Sequence, residues 1–334
     1  MNRPRLLCRL AIGLALLAGL VTAGMAAPLR LMVAGLDKQI YLPALLAERL
    51  GYFAAQGLQV ELLSESSGVH AEDQLLTGAV QGVVGFYDHT IALQAKGKFV
   101  QAVVQLGQAP GEALLVGAAQ AEGLASLAAL EGRTLGVTGL GASTQWLTQY
   151  LAAQQRIGPA ALHFVAVGSG ESFATALRQG RIDAGTTSEP TATRLLRSGQ
   201  ARLLADLRTP AATRQLLGGP YPGACLYVSS RWAAAHADEL QRVVNALVQA
   251  LRYIASHGAE QIADQLPAEL LQTDRASYVA ALQAGKAMFT PDGRMPTGGP
   301  ETVLRVMQAT QRSLQGRVID LDRTTTDAFV RSAR

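Results

Sequence analysis

The stretch GLGASTQW, residues 139–146, joins the apolar run Thr134–Thr138 to a segment with Leu147, Tyr150 and Leu151 at helical spacing. A strand, a glycine turn through Gly139 and Gly141, and a helix opening at Ser143 and Thr144 would direct unpaired N–H groups and hydroxyls at one small volume. That arrangement favours an anion or a carbonyl oxygen. The Lys of a G-x-x-x-x-G-K-[ST] loop is missing, and Thr144 stands where a G-x-G-x-x-G turn has its third glycine. A nucleotide is therefore the weaker reading. N-capping of the helix by Ser143 is compatible with either.

Further groups follow other apolar runs. GLDKQIY, residues 35–41, offers Asp37, Gln39 and Tyr41, with Gln39 the expected contact and Lys38 expected as a solvated rim charge. SESSGVHAED, residues 64–73, supplies Ser66, Ser67 and Gly68, a small-residue turn whose N–H groups can donate to an acidic or carbonyl oxygen. Tyr87, Asp88 and His89 follow GVVGF. An aromatic beside an acid and an imidazole can read an amine or ring nitrogen, while Asp88 can equally cap the next helix. Glu189, in TTSEP, suits an amine, a hydroxyl or a ring N–H and repels a bare anion. Tyr221, in GGPYPG, is either a wall of the same site or loop packing. The expected ligand site is thus Gln39, Ser66, Ser67, Gly68, Tyr87, Asp88, His89, Gly141, Ser143, Thr144, Glu189 and Tyr221. It mixes donors for an acid with acceptors for a base. No Arg stands at a strand end to clamp a carboxylate or sulfonate through two bonds, so neutral, zwitterionic and heteroaromatic ligands stay open beside simple oxyanions.

A nucleophile needs a positioned base, and a metal hydrolase needs spacing such as H-E-x-x-H. His70, His89, His163, His236 and His257 are scattered and mostly lack carboxylates at helical spacing. The expectation is no catalytic residue, no metal and no cofactor.

The 334-residue chain opens MNRPRLLCRLAIGLALLAGLVTAGMAAP, with Arg3, Arg5 and Arg9, an apolar run from Ala11 to Val21, then small residues before Pro28. These are the three regions of a secretory signal peptide. It is expected over 1–26, with cleavage after Ala23, Ala26 or Ala27. A permanent span wants about 20 apolar residues, more than this run supplies. Without the leader arginines the formal charge falls from +4 to +1. A nearly balanced surface without Lys/Arg runs argues against a nucleic-acid partner. Cys225 is then the one remaining cysteine, so no internal disulfide is expected, and inside GACLYVSS it reads as a small buried hydrophobe.

An α/β framework must position these groups. Apolar runs of strand length alternate with longer segments of helical period, as in β-α units around mostly parallel sheets. The spacing predicts strands at 29–33, 58–63, 81–86, 101–107 and 112–118, then a restart through 130–139, 162–168, 182–188 and 201–207. Helices are predicted over 40–50, 89–95, 144–155, 172–179, 231–257, 275–287 and 300–314. TPAATRQLLGGPYPG, residues 209–223, breaks the rhythm with Gly and Pro and marks a crossing. The length past the leader exceeds what one core usually serves, so two lobes are expected.

Four stretches, LPALLAERLGYFAAQGLQVELL (42–63), LEGRTLGVTGLGAST (130–144), ALRQGRIDAGTTSEP (176–190) and YVSSRWAAAHADELQRVVNALVQALRYI (227–254), run in order along nearly the whole chain past the leader. Together they resemble periplasmic substrate-binding proteins of bacterial ABC importers, in the SsuA/THI5-like branch that handles sulfonates, taurine, nitrate and thiamine-pyrimidine precursors. The resemblance implies a two-lobed periplasmic-binding-protein fold of type II. Each lobe would be a mostly parallel sheet flanked by helices, and two hinge crossings would lie near Leu114–Val116 and Leu226–Val228. Lobe one would then be 27–114 plus 226–334 and lobe two 115–225. The resemblance also implies a monomeric periplasmic receptor that closes on a small organic molecule such as a sulfonate, taurine, a nitrate-like anion or an aromatic carboxylate. It would deliver that solute to an inner-membrane permease with a cytoplasmic ATPase. A pyrimidine precursor or another amine or heterocycle is the alternative solute. Related pyrimidine synthases carry a cysteine-rich active segment, which a single Cys225 does not supply.

Overall fold

A computed structural model describes residues 27–271 and 274–333. The expected signal peptide, 1–26, lies outside the described residues. The strands are β1 (Leu29–Val33), β2 (Val60–Ser64), β3 (Gly82–Phe86), β4 (Val100–Gln105), β5 (Glu112–Gly117), β6 (Thr134–Val137), β7 (His163–Ala166), β8 (Ala184–Ser188), β9 (Ala201–Leu207) and β10 (Ala224–Ser229). They form two five-stranded sheets, ordered β2-β1-β3-β10-β4 and β7-β6-β8-β5-β9. β1 is parallel to β2 and β3, and β6 is parallel to β7 and β8. β10 runs antiparallel between β3 and β4, and β5 antiparallel between β8 and β9. Each sheet is therefore mixed, with four strands pointing one way and one the other. The reversed strand is the one that has just arrived from the opposite lobe, so it enters at the edge where its neighbours end.

The chain passes from the first sheet to the second between Gln105 and Glu112 and returns between Leu207 and Ala224. The boundaries expected at 114 and 225 fall inside β5 and β10, so the lobe limits move to these connections. The reason is burial: β5 and β10 are central strands covered on both faces, and their apolar runs carry no mark of a crossing. The Gly and Pro residues of LGQAPG (106–111) and GGPYPG (218–223) carry it instead.

Helices cover both sheets. The 20-residue helix Ala237–Ser256 buries Leu240, Val243, Val244, Leu247, Leu251 and Ile254 at helical spacing and packs on the helix Leu42–Arg49 and on β4. Each such side chain contributes about 1.5–3 kcal/mol by leaving water. The single helix predicted over 231–257 is instead two, Ser230–Ala235 and Ala237–Ser256, broken at His236 (φ −127°, ψ 37°), whose ring stacks on Trp232 at 4.9 Å. The Gly/Pro-rich 209–223 segment holds an unforeseen helix, Pro210–Leu217. The Thr209 hydroxyl accepts from the Ala212 N–H at its start and Gly218 ends it in the left-handed region. The helix Gly299–Thr310 packs against both lobes, and Arg305 donates to the Tyr150 hydroxyl (2.7 Å) and the Leu217 carbonyl (2.6 Å). The C-terminal segment is thus not confined to lobe one. No helix among the described residues is long and apolar enough to cross a membrane.

Candidate functional site

Between the lobes, at the edge where the parallel strands end, Lys38, Ile40, Tyr41, Gly68, Phe86, His89, Glu112, Thr138, Ala142, Ser143, Thr144 and Ser188 enclose a small cavity. It offers about 20 Å³ to the centre of a water molecule, roughly one or two water positions. A larger guest must part the lobes.

The helix Ser143–Gln154 begins at one wall of the cavity. Its N-cap is Ala142, with no side-chain cap bond, so the Ser143 cap is overturned: a residue already inside the helix cannot fold its hydroxyl back on the N–H groups that follow. Ser143 Oγ instead crosses to the other lobe and donates to Asp88 Oδ1 at 2.9 Å. Among the described residues no acceptor meets the backbone N–H of Ser143 or Thr144, the first orphan donors of the helix. Thr144 Oγ1 accepts from the Thr138 N–H (3.1 Å) and lies 3.0 Å from Thr138 Oγ1, closing its own turn. Gly141 supplies a left-handed turn at φ +82° and donates its N–H to Gln145, outside the lining.

Asp88 is fully buried and lies in the first turn of the helix Asp88–Ala95, which has no side-chain cap bond. Its carboxylate accepts from Ser143 and from the Tyr221 hydroxyl (3.0 Å). Neither the capping reading of Asp88 nor the loop-packing reading of Tyr221 describes this: the two residues meet lobe two's helix in one hydrogen-bonded chain. Burial raises the Asp88 carboxyl above its ordinary value, opposed by His89 and by the two hydroxyl bonds.

Lys38 corrects the expectation of a solvated rim charge. It is 6% exposed, and its Nζ donates to the carbonyls of Ala34 (2.5 Å) and Ser66 (3.1 Å). Gly35, at φ +120°, makes this fold-back feasible, since a Cβ there would lie 2.7 Å from Lys38 Cε. Burial pulls the ammonium's pKa down, against the pull of Asp37 and Glu112. Gln39 points elsewhere: its Nε2 donates to the Tyr278 carbonyl (2.8 Å), and its backbone N–H joins the lobes through the Glu189 carbonyl (2.9 Å).

Gly68 lies beneath His89, and a Cβ on it would sit 2.4 Å from His89 Nε2. Ser67 is buried against Gly139 of the facing lobe with its hydroxyl unpartnered. Ser66 is exposed and lies 3.3 Å from His70 Nδ1. His89 Nδ1 meets Glu72 Oε2 at 2.9 Å, and its ring leans on Trp146 at 5.4 Å. Burial alone would lower the His89 pKa, but the Glu72 bond and the charges of Asp88 and Glu72 raise it overall. Tyr87 faces the core, its hydroxyl on Thr324. Glu189 turns away as well: Thr193 N–H (2.9 Å), Thr193 Oγ1 (2.8 Å) and Arg208 Nη1 (2.9 Å) occupy its carboxylate.

Of the predicted residues, Gly68, His89, Ser143 and Thr144 line the cavity itself, with Asp88 and Tyr221 just behind Ser143. The lining residue with most chemical weight, Glu112, was not anticipated, because it opens a strand whereas the candidates were sought where strands end. An acid placed before the apolar run ALLVG was the available signal. Glu112 is 4% exposed and its Oε2 has no partner. Burial, reinforced by Asp88 and opposed by Lys38, pushes its carboxyl up to about 8. Cys225 is fully buried, and burial, with Asp88 adding to it, drives its thiol well above the ordinary value, the reverse of what a thiolate nucleophile needs.

Two α/β lobes, joined by two crossings and closed over a polar cavity, constitute the periplasmic-binding-protein fold. Residues 40–261 match the NMT1/THI5-like family, and the chain belongs to that family. A solved protein from Bordetella bronchiseptica RB50 is 32% identical, with a TM-score of 0.88 over 92% of this chain and 96% of its own. The alkanesulfonate-binding protein SsuA of Xanthomonas axonopodis pv. citri, bound to MOPS, is 19% identical, with a TM-score of 0.70 over 91% of this chain and all (100%) of its own. The periplasmic nitrate-binding protein NrtA of Synechocystis PCC 6803 is 13% identical, with a TM-score of 0.74 over 92% of this chain and 88% of its own. No curated protein matches the chain.

Proposed function

We propose that the chain is a periplasmic solute receptor of an ABC import system, monomeric, which closes its lobes on one small organic molecule and hands it to a membrane permease driven by a cytoplasmic ATPase. The observation that carries this reading is the closed polar cavity between the lobes, with the unpaired N–H groups of Ser143 and Thr144 on one wall and buried Lys38 on another. A helix N-terminus and a cation together receive the acidic or carbonyl group of a solute. The sulfonate-binding and nitrate-binding proteins that share the fold support the role. The segments 106–111 and 218–223 act as the hinge, and Ser143–Asp88 and Arg305–Tyr150 are bonds made when the lobes meet. The chain itself catalyses no step.

A thermal-shift screen of the chain without residues 1–26, against sulfonates, taurine, nitrate, aromatic carboxylates, pyrimidines and amines, tests the reading. A solute at 100 times its Kd adds about 2.7 kcal/mol to stability, well within detection. No shift with any compound, together with an X-ray scattering profile indifferent to all of them, would remove the receptor reading.

A further inference from the structure

Glu112 and Ser188 face each other across the antiparallel β5–β8 pair, at matched positions of the register. Residues so paired send their side chains to the same face of the sheet, and both line the cavity. Both are buried, at 4% and 2% exposure, and Glu112 Oε2 and Ser188 Oγ have no hydrogen-bond partner. Two orphan oxygens side by side on one wall are costly to the fold unless something donates to them. Lys38 does not: its Nζ serves Ala34 and Ser66, and it forms no ion pair with Glu112 among the described residues. The same cavity also offers groups of the other polarity, the Ser143 and Thr144 N–H groups from lobe two and the third proton of the Lys38 ammonium from lobe one.

We propose that Glu112 and Ser188 are specificity-determining residues that read an N–H donor, so that the solute is a small molecule bearing an amine or ring N–H at one end and an acidic or carbonyl group at the other, and not a bare oxyanion. The inference rests on the receptor reading and narrows it. Glu112 also answers why a destabilising residue sits here. Its carboxyl is raised by burial and by Asp88, with Lys38 opposing and Tyr41 and Tyr221 nearby. A carboxyl raised to about 8 from 4.5 favours the fold fully only below 4.5, and that contribution drains away as pH climbs to 8. A residue that costs stability at neutral pH is one that binding, not folding, requires.

The test compares matched probes by calorimetry and thermal shift: taurine against ethanesulfonate, β-alanine against propionate, and 4-aminopyrimidine against 4-methylpyrimidine. In the unmodified chain at least one donor-bearing member binds about 10- to 100-fold tighter than its mate, the fold-change expected for a buried charge-assisted hydrogen bond. Glu112→Gln reduces that ratio at least tenfold while raising the Tm at pH 8 and leaving it unchanged at pH 4.5, a pairing that loss of a structural residue would not give. Ser188→Ala, which removes one orphan oxygen and keeps the strand, lowers the same ratio by a smaller factor. Equal or tighter binding of the donor-free mates, or an unaltered ratio in Glu112→Gln, overturns the inference and leaves the receptor reading standing. Binding by no probe of either kind overturns the inference, and the receptor reading falls with it only if the full solute screen and the scattering profile are negative too.

Discussion

Arg208→Met isolates the Glu189 carboxylate. In the folded chain Glu189 is 1% exposed and Arg208 15%, joined at 2.9 Å, with Arg208 also bonded to Asp206 at 2.8 Å. Methionine keeps the unbranched stem and removes the charge. Breaking a buried pair from one side costs about 3–5 kcal/mol, because the remaining ion stays desolvated. The two Thr193 bonds remain and Asp206 is 28% exposed, so the lower end, about 3 kcal/mol, is expected. At roughly 2–3 °C per kcal/mol for a chain of this size, the Tm should fall by about 6–9 °C. Adding Glu189→Gln to Arg208→Met should return about half of that loss, since the neutral amide no longer needs a counter-charge. Scanning calorimetry of the four chains at one pH and scan rate closes the cycle. A fall below about 2 °C in Arg208→Met, or no recovery in the double variant, would refute the assignment of Glu189 to a structural ion pair and return it to the cleft.

Three other outcomes follow from the same geometry. Gly68→Ala drives a methyl group into His89 Nε2, so a loss of about 1–3 kcal/mol is expected by chemical denaturation, and an unchanged midpoint would show that His89 yields freely. Ser143→Ala removes the bond that crosses to Asp88. Solution scattering should show a larger radius of gyration for the unliganded variant, and an identical profile would mean that this contact does not hold the lobes. The Glu72–His89 pair has a pH window. Glu72 sits below its ordinary 4.5 because the His89 bond, with the charges of His89 and Lys96, outweighs burial, so its contribution is present above 4.5 and lost on acidification. His89 is raised above 6.5, so its contribution is complete below 6.5 and lost as pH rises through the higher value. A Glu72→Gln/His89→Gln double-mutant cycle should therefore give more coupling at pH 5.5 than at pH 9, and equal coupling would contradict the ionic pairing.

Much of the frame was legible because strand runs and helical periods report burial directly. The strands at 201–207 and 112–117 and the helix ending at Ala95 lie within a residue or two of the sequence reading. The site was less legible, for one physical reason: side-chain direction is set by partners far away in sequence. Glu189 stands at a strand end as expected, yet Arg208, 19 residues on, claims its carboxylate. Lys38 reads as a surface charge until Gly35 lets its stem fold inward. His89 finds its carboxylate in Glu72, at a separation of 17 residues that no helical period indicates.

The exchange of β5 and β10 between the lobes also sets the order in which the molecule can be built. The second sheet draws only on residues 112–207, one continuous length. The first sheet has a gap between β3 and β4 that β10 fills, and β10 is the last strand among the described residues. A chain emerging residue by residue therefore has the means to complete its middle lobe while its first lobe still waits, with the edges of Gly82–Phe86 and Val100–Gln105 unpaired. The lobe begun first is finished second, and arrest of synthesis anywhere between 207 and 224 would release a chain with one closed sheet and one open one.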